Sequence, residues 1–125
     1  MRSLTLICAI LFIASIPAAS RACPDLSGTY ECPAQGNQPP MKLVITYFQY
    51  SNGLTNYKFR YIRSSRESVW ERVASRKGIR MKDGARNSCT DNVYIINETR
   101  TFINDDGNYE TTINGQTQMI CVRQK

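Results

Sequence analysis

This chain of 125 residues has no histidine, a single tryptophan and 21% charged residues. The missing histidine removes the commonest general base and the commonest zinc ligand. Ser-His-Asp and Cys-His catalysis are closed, as are His-bearing metal sites. There is no phosphate-binding glycine loop and no G-x-S-x-G elbow. Beyond residue 22 there is no internal repeat, linker or low-complexity tract. Four cysteines without a C-x-x-C pair do not make a zinc site. Asn104, Asp106, Asn108 and Glu110 miss the spacing of a calcium loop. These absences make binding the expected role, with no catalytic residue, metal or cofactor.

What is present begins with an address. Met1-Arg2-Ser3 is a short basic start, residues 4–16 form an apolar run, and Pro17-Ala18-Ala19-Ser20 breaks it with small residues. That is the layout of a secretory signal peptide over 1–20, with cleavage as late as 22. The run is too short to span a bilayer, so no transmembrane segment is expected in the mature chain. Ser20 and Arg21 do not fit a lipoprotein signal ahead of Cys23. The expected product is one domain over 21–125, secreted or periplasmic, and monomeric. Asn97-Glu98-Thr99 is a glycosylation sequon if the source is eukaryotic.

Cleavage discards Cys8 and leaves Cys23, Cys32, Cys89 and Cys121. Four cysteines in an exported domain of this size read as two disulfides, with three connectivities open. The pairing without crossed loops, Cys23–Cys32 with Cys89–Cys121, is the favoured one. Its larger loop is worth roughly 3–4 kcal/mol on the chain-entropy model.

Asn52-Gly53, Asp83-Gly84, Asp106-Gly107 and Asn114-Gly115 are hairpin-turn dipeptides. Between them lie stretches rich in Tyr, Ile, Val, Thr and Phe, which suit strands. Residues 41–51 and 54–63 read as a hairpin. A two-residue Asn52-Gly53 turn puts Phe48 opposite Tyr57, Thr46 opposite Phe59 and Val44 opposite Tyr61, one aromatic core face. The same turn logic over 99–105, 108–113 and 116–123 makes a meander with Phe102, Tyr109, Thr111, Ile113, Ile120 and Val122 on one face. Strands are also expected over 27–32 and 92–97. Residues 64–77 permit a strand or a short helix. Ser64 and Glu67 have capping-box spacing, but Val69, Glu71 and Val73 also alternate with Trp70 and Arg72. The fold expected is all-β: an antiparallel up-and-down meander of seven or eight strands closing into a small barrel or sandwich. Trp70 reads as a core anchor.

Asp25-Leu26-Ser27-Gly28-Thr29-Tyr30 resembles the opening strand of lipocalin-like, or calycin, barrels. That family typically begins with an apolar residue and Gly-x-Trp; here Tyr30 stands for the Trp. Its last strand is often tied back by a disulfide and carries an Arg over the aromatic ring, places that Cys121 and Arg123 would take. The resemblance implies a barrel with an internal ligand cavity, for which Tyr30, Val44, Phe48, Phe59, Tyr61 and Phe102 are the candidate interior. Tyr30-Glu31-Cys32 and Cys121 are similar to elements of periplasmic lysozyme inhibitors, which implies an inhibitor or structural partner of another secreted protein as an alternative. Their Ser-Gly-x-x-Tyr loop is missing, and this domain is basic, like lysozyme itself.

The charge is polarised. Lys58, Arg60, Arg63, Arg66, Arg72, Arg76, Lys77, Arg80, Lys82 and Arg86 face only Glu67, Glu71 and Asp83, so residues 58–86 carry +7. The remainder from Cys23 onward carries −3. Such a segment can attract anionic surfaces such as lipid headgroups, lipopolysaccharide or acidic glycans. Nucleic acid is not an expected partner, because the hairpin register separates the rings of Tyr57, Phe59 and Tyr61 from Lys58 and Arg60. The expected function is therefore an exported binding protein for a small apolar ligand or an anionic extracellular component.

Overall fold

A computed structural model describes residues 23–125. The signal-peptide reading and Cys8 lie outside the described residues. Within them the chain is all-β, with no helix and ten strands. In chain order these are β1 (Gly28–Cys32), β2 (Met41–Gln49), β3 (Thr55–Arg63), β4 (Arg66–Ala74) and β5 (Ile79–Arg80). The second half supplies β6 (Arg86–Cys89), β7 (Tyr94–Ile96), β8 (Thr99–Ile103), β9 (Tyr109–Ile113) and β10 (Gln116–Arg123). They form one antiparallel sheet in the order β4-β3-β2-β1-β10-β9-β8-β7-β6-β5, nearly closed into a barrel. The first strand sits mid-sheet against the last, with Tyr30 opposite Arg123.

Only one seam lacks a ladder, between β4 and β5. Its base is closed by a Ser75–Ser88 bridge and by the Cys89 amide donating to the Ser75 carbonyl at 3.2 Å. The expected count of seven or eight strands rises to ten because residues 79–89 add two short ones around the Asp83-Gly84 turn. Residues 64–77 resolve into β4, a strand. Ser64 adopts a left-handed φ of 49° in the tight turn joining β3 to β4, so the Ser64/Glu67 spacing caps no helix.

Strands alternate in direction, so the connections gather at two ends. The end carrying the β2–β3, β6–β7 and β8–β9 turns is called the base. The other, carrying the β3–β4, β7–β8 and β9–β10 turns, is the mouth. Residues 23–27 cross the base as a plug. Cys23 and Leu26 are fully buried there. Three phenols from the barrel wall donate to plug carbonyls: Tyr30 to Leu26 at 2.8 Å, Tyr47 to Cys23 at 3.3 Å, and Tyr57 to Pro24. Leu43, Ile45, Ala74, Cys89 and Cys121 belong to the same buried core, with Cys32, Met41, Phe59, Tyr94 and Tyr109.

The disulfides are Cys23–Cys89 and Cys32–Cys121, not the uncrossed pairs expected. Topology explains the correction. The β1–β10 register sets Cys32 beside Cys121, with Cα atoms 4.2 Å apart. The plug runs beneath the end of β6 and meets Cys89 there. Avoiding crossed loops is no rule once the two chain ends are neighbours in the sheet.

Two registers differ by one residue from those expected, for one reason. At Asn52-Gly53 the Tyr50 amide bonds the Leu54 carbonyl, leaving residues 51–53 as the loop. Gly53 takes φ +84° at its third position, and Asn52 Oδ1 accepts the Leu54 amide at 3.1 Å. Such three-residue loops end in a left-handed glycine, so an Asn-Gly pair suits them as well as a two-residue turn. Ile45 therefore pairs with Phe59 and Leu43 with Tyr61, and Val44 and Phe48 turn outward. A slip of one residue exchanges the two faces. Asp106-Gly107 repeats this, with Asn104 pairing Asn108, and Phe102 moves to the outer face. Asn114-Gly115 is the two-residue turn expected, both residues at positive φ. Beyond it a bulge between Thr117 and Met119 flips β10. Met119 and Cys121 face in, while Ile120 and Val122 are exposed.

Candidate functional site

The base of the barrel is filled, and towards the mouth the interior opens into a cavity of about 400 Å³. Phe59 and Tyr61 of β3 and Trp70 and Arg72 of β4 form one wall. Ile96 of β7, Thr99 of β8 and Met119 of β10 form the other. Tyr94, Thr101, Tyr109 and Thr111 lie deeper, where Tyr94, Thr101 and Tyr109 are under 5% exposed. The period-two alternation of each strand aims these residues inward. The volume and the mix of aromatic walls with a few polar groups are those of a small-molecule site.

The aromatic wall is continuous. Tyr94 lies 4.9 Å from Tyr57 and 6.3 Å from Phe59 by ring centroids, and Phe59 stacks on Tyr61. Burial pushes the phenols of Tyr57, Tyr94 and Tyr109 well above their ordinary range, so they stay protonated far into alkaline solution. Tyr94 donates to Asn87 Oδ1. Burial also raises the Tyr61 phenol, opposed by the positive charge of Arg72.

Trp70 is 52% exposed, contrary to its expected role as a core anchor. The reason is its strand. β4 pairs with β3 on one side and has no ladder on the other, so Trp70 stands at the rim of the seam. Arg72 lies over its ring at 5.3 Å and bonds Asp83 at 2.7 Å. Asp83 belongs to the β5–β6 loop, so this ion pair spans the seam above the Ser75–Ser88 bridge.

Of the six interior candidates, Phe59 and Tyr61 line the cavity and Tyr30 is fully buried in the base. Val44, Phe48 and Phe102 lie on the outer face for the register reasons above. Phe48 is 59% exposed and rests edge-on against Tyr50. Trp70 and Arg72 were within reach of the sequence, since the strand reading of 64–77 sets them on one face. Tyr94, Ile96 and Met119 needed the pairing, which no single segment displays.

Tyr30 is covered by the last strand. The Arg123 guanidinium lies over its ring at 5.0 Å and bonds its hydroxyl at 2.9 Å. Arg123 also donates to the Ser27 and Gly107 carbonyls. Gly28, at φ +151°, leaves the space: a Cβ there would sit 2.8 Å from Arg123 Nη1.

The ten cations of 58–86 lie on β3 to β6 and the loops between them, on the two sides of the seam. Arg60 is paired with Glu67 at 2.6 Å, Arg72 with Asp83, and Arg76 with Asp91 near the base. Lys58 faces Glu71 across β3 and β4. Arg63 bonds Gln38 at 3.0 Å and pairs in register with Arg66 at the mouth. Arg86 bonds the Lys77 carbonyl and pairs with Arg80. Lys82 stands in the β5–β6 loop. The +7 segment thus divides into small groups, three of its members engaged by carboxylates.

Among the described residues no group of three or more His, Cys, Asp or Glu could hold a metal ion. Nor is any helix among them long and apolar enough to cross a membrane. Two disulfides are the usage of proteins that live in oxidising compartments. In comparison with known proteins, no family model, no curated sequence and no solved structure matches the chain.

Proposed function

We propose that this is an exported, lipocalin-like binding protein that holds a small, largely apolar molecule in the mouth half of its barrel. It works by sequestering its ligand, not by converting it. The observation that carries the reading is the aromatic-walled cavity of about 400 Å³ above a filled base. Burying a naphthalene-sized ligand there removes apolar surface from water at about 25 cal/mol per Å². The Gly28–Tyr30–Arg123 cluster supports the calycin likeness, and the disulfides support export.

Trp70 is the one tryptophan of the sequence and stands at the rim. Its emission therefore reports occupancy directly. Titration with the neutral fluorophore N-phenyl-1-naphthylamine should give a saturable change with one-to-one stoichiometry by calorimetry. Absence of saturable binding, with the fold intact by circular dichroism, would remove the proposal.

A further inference from the structure

The cavity wall has one charged side chain. Among the described residues Arg72 lines it, and no carboxylate does. We infer that the cavity selects ligands that join a flat apolar body to a single anionic group, an aryl carboxylate or sulfonate, with Arg72 as the partner of the anion. This rests on the cavity reading above and adds the charge of the ligand to it.

Three observations support the assignment. First, Arg72 is held in place. Trp70 stacks beneath its guanidinium, and its side chain is only 16% exposed. Second, it has donors to spare. A guanidinium carries five N–H groups, and the hydrogen bond from Nη1 to Asp83 Oδ2 uses one. Third, its counter-ion sits outside. Asp83 is 46% exposed, on a loop that is not part of the cavity wall. An ion pair with one partner so exposed is weak. A ligand anion inside the cavity meets the same guanidinium in a less hydrated setting, where a charge-assisted bond is stronger. The N–H groups that Asp83 leaves unused let Arg72 serve both anions at once. The field of Arg72 reaches the interior, where it opposes the burial-driven rise of the Tyr61 phenol and, against a smaller opposite effect of Asp83, that of Tyr94. A cationic ligand would find no anion to pair with and would be repelled.

A matched pair of probes isolates the charge. 8-Anilinonaphthalene-1-sulfonate and N-phenyl-1-naphthylamine share one ring skeleton and differ by the sulfonate. Titrated against Trp70 emission, with one-to-one stoichiometry checked by calorimetry, the sulfonate should bind at least about tenfold tighter, the size of one charged hydrogen bond. Arg72→Gln should erase most of that preference, read as the ratio of the two affinities within the variant. Asp83→Asn keeps Arg72 and removes its competitor, so it should tighten the sulfonate alone. That second variant decides the matter if Arg72→Gln folds poorly. Equal affinity for the two probes, or no tightening in Asp83→Asn, overturns the role of Arg72 while leaving the cavity reading intact. Failure of both probes to bind overturns the cavity reading itself.

Discussion

The two ends of the barrel are built from similar residues and serve opposite ends. At the base, Tyr30, Tyr57 and Leu26 are fully buried, and the wall phenols bond the carbonyls of the plug. Towards the mouth, Tyr61, Trp70 and Ile96 stand around open space. Both regions are rich in aromatics, so composition does not separate them. What separates them is a segment of five residues, 23–27, which fills one end and has no counterpart at the other. Folding free energy is concentrated where side chains meet side chains, and recognition is available where they do not. A tyrosine at the base satisfies its hydroxyl on the backbone and becomes structure; at the mouth a ring that faces space becomes a contact for something else.

The sharpest way to break this contrast is to release the plug. Cys23→Ser with Cys89→Ser frees residues 23–27 from β6. The chain-entropy model assigns a loop of 66 residues about 4 kcal/mol. The Cys32–Cys121 bridge closes 89 residues and scores about the same on that model, yet it joins strands already paired. Denaturant unfolding of the two double variants should therefore show the larger loss for the plug pair, because plug burial goes with the bond. A larger loss from Cys32→Ser with Cys121→Ser would mean that the sheet, not the plug, holds the base.

Side-chain truncation sharpens the contrast further. Leu26→Ala removes a fully buried side chain from the base and should cost about 3 kcal/mol. Trp70→Ala removes a much larger side chain but should cost under about 1 kcal/mol, because half of it is in water already. Equal unfolding midpoints for these two variants would show that the mouth is as tightly built as the base.

How much of this was visible in the sequence follows from what each segment alone specifies. The all-β class came from the turn dipeptides and the β-branched and aromatic stretches between them. The pairing of Tyr30 with Arg123 was within reach only through the resemblance of Gly28-x-Tyr30 to the opening of calycin barrels, which implies an Arg of the last strand over the ring. The faces were not legible. Asn52-Gly53 and Asp106-Gly107 fit two- and three-residue loops alike, and the choice flips every residue of the strand before it. Val44, Phe48 and Phe102 went to the wrong side for that reason alone. In β10 the error had another origin, since a bulge at residue 118 leaves no mark in the alternation of Ile120 and Val122. Disulfide connectivity was equally hidden, because the neighbourhood of β1 and β10 is a property of closure. Trp70 was misplaced by treating a lone tryptophan as core, when the decisive fact is that β4 borders the seam.

Alkaline titration tests the buried rings as a group. Burial holds the phenols of Tyr57, Tyr94 and Tyr109 protonated well past the ordinary value of 10.0. Once unfolded, they ionise near that value, so above it the unfolded chain binds fewer protons and gains on the native one. The stability they confer is complete below pH 10 and declines as pH rises beyond it. Tyrosinate absorbance should therefore show a late, cooperative phase that coincides with loss of the circular dichroism signal. A smooth titration of all seven tyrosines ahead of unfolding would show the base to be wet.

The smallest expected effect lies on the seam. The Ala85 amide and the Arg72 guanidinium hold the Asp83 carboxyl below its ordinary value of 3.8. A lowered acid favours the native state above the unfolded value, and that contribution fades as pH falls through the native one. The Arg72–Asp83 pair should therefore persist at pH 4 and break only in stronger acid. At the base, the Ser75–Ser88 bridge carries no titrating group, so acid should loosen the seam from its upper part alone. Amide hydrogen exchange at pH 4 and in stronger acid would follow this, with protection falling in the β5–β6 loop while the Cys89 amide, bonded to the Ser75 carbonyl, keeps its own. Loss of protection along the whole seam at once would show that the ion pair and the backbone bridge act as one unit. In that case Asp83→Asn would loosen β4 along its length, and the mouth could not change without the base. The contrast between the two ends depends on their being separable here, where the ladder is missing and the Arg72–Asp83 pair spans the gap.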